Sequence, residues 1–149
     1  MLYKSWMREA LLLAHTAKNN NEVPVGAIVI LNDEIIGRGY NCSIGTHDPT
    51  AHAEIIALRD AAKKMGNYRL VDATLIVTLE PCVMCFSAMI HARIKKLVFG
   101  APDLKAGTNS VFELFDSKKF NHQIECVGEI LEGECRDILV GFFQARRSG

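Results

Sequence analysis

Apolar residues recur at helical spacing at the start of the chain: Trp6, Ala10, Leu13, Ala14 and Ala17 mark one face of a helix running from Leu2 to about Asn19. The pattern then changes period. VPVGAIVIL, from Val23 to Leu31, is a β-rich run that turns at Asn32-Asp33 into EIIGRGYN, which predicts a hairpin. Pro49 and Thr50 punctuate the next start, with Thr50 as the N-cap of a helix that runs to about Met65 and closes at Gly66. Residues 73–80 (ATLIVTLE) read as a strand, residues 81–94 (PCVMCFSAMIHARI) as a helix opened by Pro81, and residues 95–101 (KKLVFGA) as another strand. Beyond Gly107 the signal weakens, with SVFELFDS read as a short helix and IECVGEI as a short strand. Cys135, Ile138, Leu139, Phe142 and Phe143 then return to helical spacing in a last helix from Glu134 to Arg147, which puts at least one of the two phenylalanines in the core.

This order of elements predicts a layered α/β domain whose central mixed sheet is covered by helices on both faces. With 149 residues, 49% of them hydrophobic, the chain is expected to form a single domain over residues 1–149, and it contains no repeat, low-complexity tract or linker. The first twenty residues lack the arrangement of a secretion signal, and no apolar run approaches the roughly 20 residues that cross a bilayer. A soluble, cytoplasmic protein without a membrane partner is the expectation. Lys+Arg and Asp+Glu balance at 17 each, so any nucleic-acid binding has to rest on a local patch.

The five cysteines (Cys42, Cys82, Cys85, Cys126, Cys135) are odd in number and do not form a regular disulfide framework. Cys82 and Cys85, three apart at a helix start, point their sulfurs one way, and a helix N-terminus favours the thiolates a metal needs. His52 occupies a similar position on the preceding helix, and the strand between could bring the two helix starts side by side. Two thiolates and one imidazole make a three-ligand zinc set with an open position for water, the catalytic kind of site. Zinc would make hydroxide available near neutral pH. Glu54, two residues from His52, would reach that water without ligating the metal and carry its proton to a leaving nitrogen. Such a site suits hydrolytic deamination of an amidine-like ring carbon.

H-A-E at 52–54 followed by P-C-V-M-C at 81–85 resembles the signature of the zinc-dependent nucleobase deaminases. EVPVGAIV, DPTAHAEIIALR, NYRLVDATLIVTLEPCVMC, RIKKLVFGAPDLKAG, FNH and FFQARR, in this order, are similar to the bacterial tRNA-specific adenosine deaminases across nearly the whole chain. The resemblance implies a three-layer α/β/α cytidine-deaminase-like fold with about five strands, one zinc ion per subunit of a homodimer, and conversion of adenosine to inosine at the wobble position of a tRNA anticodon stem-loop. It implies His52, Cys82 and Cys85 as metal ligands and Glu54 as the proton carrier. Asn41 resembles the asparagine that contacts the target base, oriented with help from the backbone at Ala53. Asp103, Lys105 and Asn121 resemble residues that hold the loop around the target, and Phe142, Arg146 and Arg147 match a C-terminal helix beside the RNA. The helix from Pro81 to Ile94 is the implied dimer surface. Phe86 departs from the family's usual small residue, and Cys42, Ser43 and Pro102 also stand at points of departure.

Other readings stay open at the level of sequence. A structural zinc site could be closed by Cys42 or His47, and Cys82/Cys85 could be a redox pair. A free guanine or cytosine deaminase would share the zinc chemistry without RNA. Arg146 and Arg147 could simply complement the dipole of the last helix, and Asp103 and Lys105 could be ordinary loop charges.

Overall fold

Side-chain alternation in the middle strands separates two cores. In β3 (Thr74–Leu79), Leu75 and Val77 join one cluster and Ile76 the other; in β1 (Gly26–Leu31), Ala27 and Val29 oppose Ile28 and Ile30 in the same way. Helices α3 (Ala53–Met65) and α4 (Val83–His91) cover the first cluster, and α1 (Leu2–Asn19) and α5 (Glu132–Ser148) cover the second. The computed structural model, which describes residues 2–148, therefore has three layers. Its five-stranded mixed sheet has the order β2-β1-β3-β4-β5. Strands β2 (Glu34–Tyr40) and β3 flank β1 in antiparallel fashion, whereas β4 (Lys96–Ala101) and β5 (Glu125–Val127) continue the sheet parallel to β3. This is the predicted fold class. No helix among the described residues is long and apolar enough to cross a membrane.

Several boundaries differ from the sequence reading, each for a local reason. The first strand begins at Gly26 because Pro24 has no amide hydrogen to give a sheet and the Val25 amide is bonded to Val23 O. The buried face of α1 centres on Met7, Ala10, Leu11, Ala14 and Ala17, leaving Trp6 and Leu13 half-buried at its rim. A short helix α2 (Ser43–Thr46) escapes notice by periodicity, being a single turn.

The segment SVFELFDS forms turns rather than a helix. Val111 and Glu113 make isolated helix-type bonds to Gly107 O and Asn109 O, but the ladder is broken because the Ser110 amide goes to Glu80, the Leu114 amide to Thr108 O and the Phe115 amide to Asn109 Oδ1. Phe115 alone of its apolar residues is buried, stacking on Phe86 of α4 with ring centroids 5.1 Å apart. Phe86, edge-on to Phe120 as well, is thus a core residue within one chain.

Candidate active site

The starts of α3 and α4 meet on one face of the sheet. Thr50 is not the cap of α3, since its amide and hydroxyl both bond Asp48 Oδ1; His52 is the N-cap, with φ −76° and ψ 155°. Pro81 likewise lies outside α4, whose N-cap is Cys82, with φ −74° and ψ 171°. Both residues are therefore extended where the sequence reading put them in a first helical turn. Strand β2 presses close against the start of α3: a side chain at Gly39 would place its Cβ 2.4 Å from Ala53 O, so only glycine permits this approach. Glu54 and Cys85 occupy the first turns of their helices.

His52 Nδ1 lies 3.6 Å from Cys82 Sγ and 3.5 Å from Cys85 Sγ, and the three atoms fall within 4.8 Å of one another. Among the described residues no further side chain joins this group, so neither Cys42 nor His47 closes it. The Cys85 thiol donates to Cys82, and that bond, reinforced by His52 against the opposing effect of burial, holds the Cys82 thiol down to about 4. Cys85 is pushed up correspondingly, because it is the donor to Cys82 and is buried. His52 is raised by its bond to Cys82. Glu54 is 4% exposed, and burial pushes its carboxyl up to about 7 despite contacts with its own helix amide and with Cys85. One nitrogen and two sulfurs converging at two helix N-termini, one thiol already ionised at neutral pH, are a donor set that fits zinc.

The other sequence-derived residues fall into separate groups. Asn41 Oδ1 accepts the Ala53 amide at 2.7 Å, so these two are partners and the Asn41 Nδ2 is the end that can meet a ligand. Asp103 Oδ1 accepts the Lys105 and Ala106 amides at 3.0 and 3.1 Å, fixing its own loop. Asn121 is exposed in the turn before β5, and among the described residues no hydrogen bond ties it to the His52 group. Lys105, Arg146 and Arg147 line one cleft of ≈ 450 Å³ with Pro102, Arg136 and Phe143. Phe142 needs a correction: it is only 6% exposed, its ring is edge-on to Phe143, and the Arg146 guanidinium lies 4.9 Å above it. The exposed ring in the cleft is that of Phe143.

Two buried carboxylates beside the site were given no role in the sequence reading. Glu22 accepts the Ile44 and Gly45 amides at 3.1 and 2.7 Å, pinning α2 just after Asn41. Glu80, 2% exposed, receives amides from the loop after β4. Both stand in blocks that were legible, EVPVGAIV and LEPC, but their partners are distant in sequence and no local spacing announces them.

The model of the MafB19-like deaminase family matches residues 1–147. A tRNA-specific adenosine deaminase of Haemophilus influenzae is 54% identical over 143 residues, covering 95% of this chain and 83% of that protein. The Bacillus subtilis tRNA-specific adenosine deaminase is 43% identical over 143 residues, covering 95% and 90% of the two chains. A solved structure from a study of A-to-I editing by tRNA:A34 deaminases superposes with a TM-score of 0.87 at 39% identity, over 91% of this chain and 99% of that one. A guanine deaminase from Nitrosomonas europaea shares the fold, with a TM-score of 0.79 at 23% identity over 93% and 83%.

Proposed function

The chain belongs to the MafB19-like deaminase family, and we infer that within it this protein is a tRNA-specific adenosine deaminase, converting the wobble adenosine of an anticodon to inosine by hydrolysis. The observation that carries this reading is 54% identity along 95% of the chain to a tRNA-specific adenosine deaminase, joined to the convergence of His52, Cys82 and Cys85 beside a buried Glu54. Water adds its oxygen to C6 of the adenine, the C6–N6 bond breaks, and ammonia leaves.

His52, Cys82 and Cys85 would hold a zinc ion, one per chain, and zinc when bound supplies the Lewis acidity that makes water a usable nucleophile near neutral pH. Glu54 takes the proton from the attacking water, delivers it to N1 of the ring, and carries a proton to the departing amine. Its burial beside Cys85 supports this role, because a carboxylate there is screened from bulk water. Asn41 Nδ2 donates to the base while its Oδ1 stays on the Ala53 amide, which stiffens the contact.

The anticodon loop offers unstacked bases, the form in which RNA is usually read by sequence. Lys105, Arg146 and Arg147 contact its phosphates, and Phe143, packed on Phe142, presents a face for stacking. Asp103 and Asn121 complete the rim. A homodimer formed through α4 agrees with that helix's lack of any Asp, Glu, Lys or Arg and with its half-buried Val83, Met84 and Ala88. The loop bridged to Cys82 through Gly107 also exposes Leu104 and Phe112. A cytoplasmic location follows from the tRNA substrate.

The test is nucleoside analysis after incubating the zinc-loaded protein with an anticodon stem-loop carrying adenosine at the wobble position, with free adenine, adenosine, guanine and cytosine in parallel. Inosine in the RNA alone is the expected result. Turnover of a free base with the RNA untouched would retain the metal chemistry and overturn the substrate.

A further inference from the structure

The loop after β4 is stitched to the turn that carries Cys82, residue against residue. The Glu80 Oε1 accepts the Asp103 amide at 3.0 Å and the Ser110 hydroxyl at 2.5 Å, while Oε2 accepts the Asn109 and Ser110 amides at 2.8 and 2.9 Å. Pro81 O accepts the Thr108 amide and hydroxyl at 3.0 and 2.8 Å, and Cys82 forms a β-bridge with Gly107. A side chain at Gly107 would put its Cβ 2.4 Å from Glu80 Oε2, so glycine is what lets the carboxylate reach the loop.

Glu80 is buried, and among the described residues no ion pair reaches it. A buried carboxylate without a cation is costly unless its lone pairs are filled. Here three amides and one hydroxyl fill them, all from residues 103–110. A neutral side chain of the same shape would pack equally well but could not accept on both oxygens. The arrangement therefore secures the position of a loop rather than the filling of a core, and that loop carries Asp103 and Lys105.

We propose that Glu80 is a positioning residue for the RNA: its carboxylate locks loop 103–110 to the Cys82 turn, so that the RNA-holding wall and the metal-ligand turn form one rigid body. The inference rests on the RNA-deaminase reading above. Glu80 touches neither the base nor the reacting atoms, and its effect is on binding.

Glu80→Gln is the sharpest probe, because the amide's one oxygen can stay on the Asn109 and Ser110 amides while its NH₂ group opposes the Asp103 amide, donor against donor. KM for the stem-loop is expected to rise about tenfold with kcat changed less than about twofold, the signature of lost uniform binding. Zinc content should stay at the wild-type level, and hydrogen exchange should quicken at the Asp103 amide. Adding Lys105→Ala should raise KM by less than it does in the wild type, because the loop it acts from is already loose. Ser110→Ala, an exposed change that removes only the hydroxyl bond, should raise KM by about twofold and covers the case in which Glu80→Gln folds poorly. Wild-type KM in both variants would overturn the proposal, as would a matching fall in kcat and zinc content. Wild-type protein run alongside separates the two levels: if it leaves the stem-loop unedited, the substrate reading fails and the RNA role of Glu80 with it.

Discussion

His52 and Cys82 are the N-cap residues of α3 and α4, yet neither side chain caps its own helix; they face each other, Nδ1 3.6 Å from Sγ. A side-chain cap at either position would contribute about 1 kcal/mol to its helix. The first amides of α3 are satisfied without it, Ala53 by Asn41 and Glu54 by its own carboxylate, which leaves the imidazole free to face Cys82 and Cys85. Two helix starts that forgo their caps at one point are stabilised by whatever ligand joins them. A metal present at about 1,000 times its Kd contributes about 4 kcal/mol, or about 10 °C in Tm for a domain of this size. Chelation should lower the melting temperature by that order and added zinc should restore it. His52→Ala and Cys82→Ser should each melt at one temperature with or without zinc; a wild-type Tm indifferent to the chelator would remove the metal from this site.

Glu54 stands outside the three donors, so Glu54→Gln should separate metal binding from turnover. The expected loss in kcat is roughly 10²–10⁴-fold, the usual contribution of general acid–base catalysis. Zinc content by elemental analysis and affinity for the stem-loop should be unchanged. A non-enzymatic zinc module would lose nothing in this variant, and loss of zinc together with activity would make Glu54 a ligand.

The thiols should sort by environment. Without metal, Cys82 is held down to about 4 and is therefore a thiolate throughout the neutral range, while burial pushes Cys126 and Cys135 up to about 12, far above the pH of an alkylation assay. In the zinc-loaded protein at pH 8, iodoacetamide should label the half-buried Cys42 ahead of the others. Chelation should add Cys82 to the labelled set and leave Cys126 and Cys135 unmodified. Peptide mass spectrometry reads each site separately, and equal labelling of Cys82 with and without zinc would contradict metal ligation there.

How far these features were legible differs by element. The strands at 74–79 and 96–101 and the helix closing at Gly66 were readable because apolar period and punctuation agree there. The convergence of His52, Cys82 and Cys85 was readable because residue types able to ligate a metal sit at helix starts with informative spacing. The turn structure of residues 108–120 was not, because its shape is imposed by Glu80 and Thr108, partners that local pattern does not reveal. The same holds for Glu22, which builds α2 from some twenty residues away. Thr50 misled because its hydroxyl found Asp48 before it found the helix. Phe142 and Phe143 both fit the helical stripe of α5, and only packing distinguishes the buried ring from the exposed one.

That distinction separates two substitutions that look alike in sequence. Phe142 is buried beneath Arg146, so Phe142→Ala should destabilise the domain by about 3 kcal/mol, the low end for a buried phenylalanine. Phe143 is 44% exposed and lines the cleft with Lys105, Arg146 and Arg147, so Phe143→Ala should leave stability within about 0.5 kcal/mol of wild type. Loss of one stacking face costs about 1–3 kcal/mol per base, so the Phe143 variant should bind the stem-loop about tenfold more weakly, with little change in salt dependence. Arg146→Ala with Arg147→Ala should instead flatten the salt dependence, since each lost phosphate contact reduces the slope of log affinity against log salt by about 0.7–0.9. Chemical denaturation and binding titrations at several salt concentrations measure the two quantities independently. If Phe143→Ala binds RNA as wild type does, the ring is not a stacking platform; if the double arginine variant keeps the full salt slope, the cleft is not where the phosphates lie.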